Sequence, residues 1–172
     1  MTLEEFNALP VADAAAALHA CAASGRWVDG LVARRPYASH DDLFNTAGFL
    51  WCELGPNDWR EAMDAHPRIG DGAPRHADAR SAAWSAGEQM GVRDEDRLAL
   101  VRANREYEAQ FGHLFLICAT GKRSDEILAA LYKRMKNTPD VELAVAGEEL
   151  GKIARLRLEK LLGFPSNEVL RA

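Results

Sequence analysis

Three places in the 172-residue chain put reactive side chains where the local helical pattern gives them no structural duty. The first is Arg157. On a wheel of about 100° per residue, Leu143, Ala146, Leu150, Ile153, Ala154 and Leu161 form one apolar stripe, and Arg157 falls in its middle while Arg155 points away. A guanidinium aimed at a core cannot shed its charge, so it must meet an anion or several acceptors. It is either an anion-binding group at the floor of a pocket, the partner of a structural carboxylate, or a side chain that snorkels out at the helix end. The second place is His66-Pro67. A histidine at a helix C-terminus meets the negative end of the dipole, which favours its protonated form and suits it to proton transfer near neutral pH. The plainer alternative is a cap that bonds the last carbonyls. The third is a helix face shared by Ser81, Ser85 and Glu88, with Gln89 at its edge and Trp84 beside it. Ser85, Glu88 and Gln89 could line a polar cavity, and the plainer alternative is a solvated face.

The elements that must carry these groups are helices. Alanine-rich 12–23 follows Pro10 and stops at Gly25. Residues 41–54 place Leu43, Ala47, Leu50 and Leu54 at helical spacing before Gly55-Pro56. Asn57 or Asp58 caps a short helix over 59–65, which ends at His66 because Pro67 disfavours αR for the residue before it. Residues 68–75 hold Gly70, Gly72 and Pro74 and form a loop. Further helices are expected over 77–90, over 94–111, over 124–135 with Ser124 as cap, and from Thr138-Pro139 to Leu162. Only 114–119 could be a strand, and one strand makes no sheet. The expected fold is all-α, one helical domain over 1–172 with its core over about 9–162.

Composition narrows the function. Hydrophobic residues at 48% and charged residues at 27% exclude a disordered chain. Lys+Arg at 21 against Asp+Glu at 26 gives a net charge of -5, the wrong sign for wrapping a nucleic-acid backbone. Cys21, Cys52 and Cys118 are odd in number and contain no CxxC, which favours a reducing compartment. The segment 1–9 carries Glu4 and Glu5 and no basic region, so it does not read as a signal peptide. The longest apolar run, 114–119, falls far short of the ~18 residues of a membrane span. A cytoplasmic protein without nucleic-acid or membrane partners is expected.

Other motifs fail. Ala119-Thr120-Gly121-Lys122 resembles the end of a phosphate loop, but Leu116 stands at the first glycine position and Arg123 where Ser or Thr would bind magnesium. Ser85 lacks the flanking glycines of a nucleophile elbow. Cys118 sits in an apolar run and reads as core rather than as a nucleophile. His66 and His76, with Asp71 and Asp78, match no zinc spacing, so no metal is expected. His19, His40 and His113 have no ligand partners at helical spacing and read as structural or exposed.

The odd places line up with a known family. His66-Pro67-Arg68-Ile69-Gly70 resembles the histidine-proline-arginine-isoleucine-glycine motif of the OHCU decarboxylases, the 2-oxo-4-hydroxy-4-carboxy-5-ureidoimidazoline decarboxylases of urate breakdown. Ser85 through Gln89 is similar to the family's serine-x-x-glutamate-glutamine motif. Tyr107-Glu108, Phe111-Gly112 and the run from Phe115 to Ala119 resemble its central segment, and residues 153–158 resemble its C-terminal arginine motif. The match runs from about Leu9 to Leu162.

The resemblance implies a cofactor-free, all-α lyase, commonly a homodimer, that converts OHCU to (S)-allantoin and carbon dioxide in purine catabolism. It makes His66, Glu88 and Arg157 the catalytic residues. It makes Pro67, Ser85, Glu88, Gln89, Phe115, Leu116, Ile117, Cys118, Ala119 and Arg157 the substrate-binding ones. His113 and Leu114 depart from the residues many relatives carry, and so does Arg123; this touches the pocket wall and substrate preference. Two other readings of the chain are a helical scaffold that kept the fold without the chemistry, and an enzyme acting on another small ureido or imidazole acid.

Overall fold

A computed structural model describes residues 1–66, 68, 80, 83–84 and 94–164. The expected helix over 77–90 lies almost wholly outside the described residues, as do Pro67, Ser85, Glu88 and Gln89. Within them the chain forms α1 (Leu3–Ala8), α2 (Val11–Cys21), α3 (Gly25–Val32), α4 (His40–Cys52), α5 (Pro56–Asp64), α6 (Asp94–Phe111), α7 (Ser124–Arg134) and α8 (Pro139–Leu161), and no strand. No helix among the described residues is long and apolar enough to cross a membrane.

The helix starts follow local rules. Thr2 and Glu5 form a reciprocal capping box on α1, with Glu5 N–H donating to Thr2 Oγ1 at 3.1 Å and Thr2 N–H to Glu5 Oε2 at 2.7 Å. Ser39 Oγ accepts from Asp42 N–H at 3.1 Å and starts α4. Pro56 and Pro139 occupy first-turn positions, where the missing N–H costs nothing.

Several boundaries differ from expectation. Helices α1 and α3 were not foreseen, and Gly25 opens α3 instead of closing α2. Helix α5 begins at Pro56, with Asp58 accepting from Gly55 N–H at 2.9 Å, and stops at Asp64. Ser124 is the first helical residue of α7, not its cap, and Glu126 instead accepts from Arg123 N–H at 2.8 Å. The segment 114–119 is neither helix nor strand.

Helix α8 is the axis of the core. It packs against α2, α4, α5 and α6. All six residues of its expected apolar stripe are buried, together with Leu156 and Leu158. Two glycines let large rings come close to it. A Cβ on Gly147 would stand 2.7 Å from the Trp59 ring of α5, and one on Gly151 would stand 2.6 Å from the Trp51 ring of α4. Trp51 Nε1–H uses that closeness to donate to Gly147 O at 3.0 Å. A second cluster joins α6, α7 and the segment between them through Leu100, Ala103, Tyr107, Ile127 and Leu131.

Two buried phenols make this core sensitive to alkali. Tyr37 is 4% exposed and donates to Leu31 O at 2.8 Å. Burial pushes its pKa from 10.0 up to about 12, with smaller opposing contributions from Arg34 and Asp42. Tyr107 shifts upward too, first by burial and then by its hydrogen bond to Glu142. A raised folded-state pKa means the native state keeps a proton that the unfolded chain gives up. The stability is therefore intact below pH 10.0 and declines as pH rises towards about 12. The slope is ~1.4 kcal/mol per pH unit for each tyrosine. Urea unfolding across that range should show a steeper loss for the wild type than for Tyr37→Phe, which has no phenol to ionise there.

Candidate active site

His66 stands just beyond α5. Its backbone N–H donates to Met63 O at 2.9 Å, and its ring Nδ1 lies 3.0 Å from Ala62 O. A carbonyl only accepts, so Nδ1 carries the hydrogen and the neutral ring keeps its lone pair on Nε2. The imidazole thus caps its helix through Nδ1 and leaves Nε2 as the nitrogen with acceptor character. The two readings of His66 are compatible. The side chain is 8% exposed, which fixes it within the packed end of α5.

The chain leaving His66 is fastened to α6. Arg68 donates from Nε and Nη2 to the two oxygens of Glu108 at 2.5 and 2.6 Å, a bidentate pair. Arg68 and Glu108 are far apart in sequence, and this ion pair holds one against the other.

The segment from Phe115 to Ala119 lies between the helices with its residues alternating in direction. Phe115, Ile117 and Ala119 enter the α6–α7 cluster. Leu116 enters the cluster of Ala62 and Met63 from α5 with Leu143, Ala146 and Leu150 from α8. Cys118 packs on Ile153 and Leu156 of α8, and at 7% exposure it is the core residue its apolar surroundings indicated. Such a run, buried on both sides without a partner strand, must find side chains for its backbone groups. Arg134 Nη1 donates to Leu116 O at 2.6 Å, and Cys118 N–H donates to Glu149 Oε2 at 2.8 Å.

Arg134 belongs to a buried polar unit. Its Nε donates to Glu142 Oε1 at 2.7 Å, and its guanidinium lies 4.7 Å from the centre of the Phe115 ring. Tyr107 donates its hydroxyl to the same Glu142 oxygen, and Asn137 Nδ2 donates to the other at 2.8 Å. Glu142 is 0% and Arg134 8% exposed. Sequence reasoning missed both.

Arg157 is 1% exposed, on α8 beside Ala154, Leu158 and Leu161. It does not snorkel out. Arg155, which the wheel turned away, pairs with Glu159 at 2.6 Å and lies over the Phe44 ring. The structure therefore brings three of the expected site elements onto connected packing. The end of α5 bearing His66 meets Leu116, and the same segment meets, through Cys118, the part of α8 that precedes Arg157. Among the described residues no group of three His, Cys, Asp or Glu side chains could hold a metal ion.

A sequence profile of the OHCU decarboxylases matches residues 7–159. The chain belongs to the OHCU decarboxylase family. It is 33% identical over 138 residues to the 2-oxo-4-hydroxy-4-carboxy-5-ureidoimidazoline decarboxylase of Amia calva, covering 77% of each chain. It is also 31% identical over 150 residues to a uric acid degradation bifunctional protein of Arabidopsis thaliana. That match takes 82% of this chain and 45% of the relative, so the chain spans less than half the length of that protein. Its fold matches a crystal structure of an OHCU decarboxylase obtained in the presence of (S)-allantoin. The TM-score is 0.71, with 29% identity over 84% of this chain and 96% of that one. The all-helical architecture is thus the OHCU decarboxylase fold.

Proposed function

We propose that this chain decarboxylates 2-oxo-4-hydroxy-4-carboxy-5-ureidoimidazoline to (S)-allantoin and carbon dioxide in urate breakdown. Beside family membership, the observation that carries the reading is Arg157, a permanent cation 1% exposed inside the apolar stripe of the central helix. A guanidinium held there can bind the carboxylate of an oxoacid substrate.

The substrate carbon that loses carbon dioxide also bears a hydroxyl, and its neighbour is an imine carbon. When the carboxylate leaves, its electron pair flows into the imine and leaves an enol. The imine nitrogen gains a proton, the enol hydroxyl yields one, and the carbon bearing the ureido group gains one on a single face. The substrate thereby supplies its own electron sink, and no cofactor is required of the protein.

Three duties remain for side chains. Arg157 holds the carboxylate or the ureido group in a bidentate clamp. His66, with Nδ1–H committed to Ala62 O at 3.0 Å, exchanges the hydroxyl proton through Nε2. Glu88 delivers the proton to carbon or orients His66. Pro67, Ser85, Gln89 and backbone groups of Phe115 to Ala119 hold the ureido and ring amides. The family resemblance also supports a homodimer, and the cysteine usage supports a reducing compartment such as the cytoplasm.

Circular dichroism of the product from freshly oxidised urate tests the reading. Rapid, stereospecific appearance of (S)-allantoin is the expected result. Only the slow racemic background would overturn it, and turnover confined to another ureido acid would replace the substrate.

A further inference from the structure

We propose that Glu149 is a positioning residue for substrate binding, acting through the backbone of Cys118. The inference rests on the function proposed above and on one contact in particular. Glu149 Oε2 accepts from Cys118 N–H at 2.8 Å, and its other oxygen is held by Lys152 Nζ at 2.5 Å. The Glu149 side chain is 14% exposed, so water competes little for the contact. An N–H donating to a carboxylate is about twice as strong as a neutral hydrogen bond.

The contact matters because of what lies at each end. Glu149 is on α8, the helix that bears Arg157. Positions 149, 153, 156 and 157 share one face of that helix. Ile153 and Leu156 pack against the Cys118 side chain. Glu149 therefore ties the Phe115–Ala119 segment to α8 by hydrogen bond, while Ile153 and Leu156 tie it by packing. The distance from the segment's backbone to the Arg157 guanidinium is then set by one rigid helix. The eight-residue step from Glu149 to Arg157 rises ~12 Å along it. A substrate that spans from the segment's amides to the guanidinium meets two fixed points only while the tether holds.

Arg134, which grips Leu116 O, helps to hold the segment, but its loss also strands the buried Glu142. Altering Glu149 strands no buried charge, since Lys152 is 58% exposed, and the Cys118 side chain keeps its apolar neighbours.

The test compares Glu149→Ala and Glu149→Gln with the wild type on freshly generated OHCU. The amide oxygen of glutamine still accepts from Cys118 N–H, so Glu149→Gln is expected to keep KM within about threefold of the wild type. Glu149→Ala is expected to raise KM about tenfold or more while kcat changes less than threefold, the pattern of lost ground-state and transition-state binding in equal measure. Hydrogen exchange at the Cys118 amide should quicken at least tenfold in Glu149→Ala, with Tm lowered by no more than a few degrees. An unchanged KM, or a Gln variant as impaired as the Ala variant, would overturn the proposal. If the wild type makes no (S)-allantoin, the functional reading fails instead. The exchange rate at Cys118 then still decides whether Glu149 holds the segment.

Discussion

Replacing His66 with asparagine should leave a folded protein that turns OHCU over ~10²–10⁴-fold more slowly. The substitution separates the two duties of the ring. The asparagine amide nitrogen takes up nearly the place of Nδ1 and can still donate to Ala62 O, which the imidazole meets at 3.0 Å. The cap on α5 therefore survives and Tm should move by no more than a few degrees. The amide has no group that gains and loses a proton near neutral pH, so exchange with the substrate hydroxyl stops. His66→Gln, whose amide reaches towards the Nε2 position instead, should be equally slow. The dichroism assay reads the rate and thermal denaturation reads the fold. Wild-type turnover by His66→Asn would remove the imidazole from the mechanism.

His66 and Arg157 were legible in the sequence because each breaks a rule at its own position. Pro67 forces the chain out of a helix beside His66, and a 3.6-residue period sets Arg157 among aliphatics. Both residues are buried, at 8% and 1% exposure. Arg134 and Glu142 are as deeply placed, yet nothing in the sequence marks them. Arg134 sits in the last turn of α7 and Glu142 in the first turn of α8, where a basic and an acidic residue are expected on dipole grounds alone. They obey the local rule, and only the approach of α6 and the 114–119 segment turns a solvated pair into a buried one.

The same distinction explains the elements. The long apolar periods of α4, α6 and α8 reveal themselves, as does Pro139 in the first turn of α8. Helix α3 hides behind Gly25, which reads as a stop, although Trp27, Val28 and Leu31 are all buried. Helix α1 had a signal that could have found it, the Thr2-x-x-Glu5 capping box ahead of Phe6. The run 114–119 has the apolar character of a buried strand. Its pairing partners are a guanidinium and a carboxylate from other helices, and no local pattern announces these.

Arg134→Met is expected to cause the largest loss of stability. It removes the cation facing Glu142, whose oxygen stands 2.5 Å from Nη2, and leaves a carboxylate at 0% exposure with only the Tyr107 and Asn137 donors. Breaking one side of a buried pair costs ~3–5 kcal/mol, because the other charge stays desolvated. In a domain of this size that lowers Tm by ~10 °C or more. It also strips Leu116 O of its donor, so the protein that remains folded at low temperature should bind OHCU more weakly. Adding Glu142→Leu removes the stranded charge, and the double variant should be more stable than Arg134→Met alone. Arg123→Met supplies the contrast. Its pair with Asp125 lies in water, with side chains 73% and 55% exposed, and its loss should leave Tm unchanged. If the double variant melts below the single one, the buried pair is not coupled as described. The Tyr107 and Asn137 bonds to Glu142 would then hold this part of the core without the arginine.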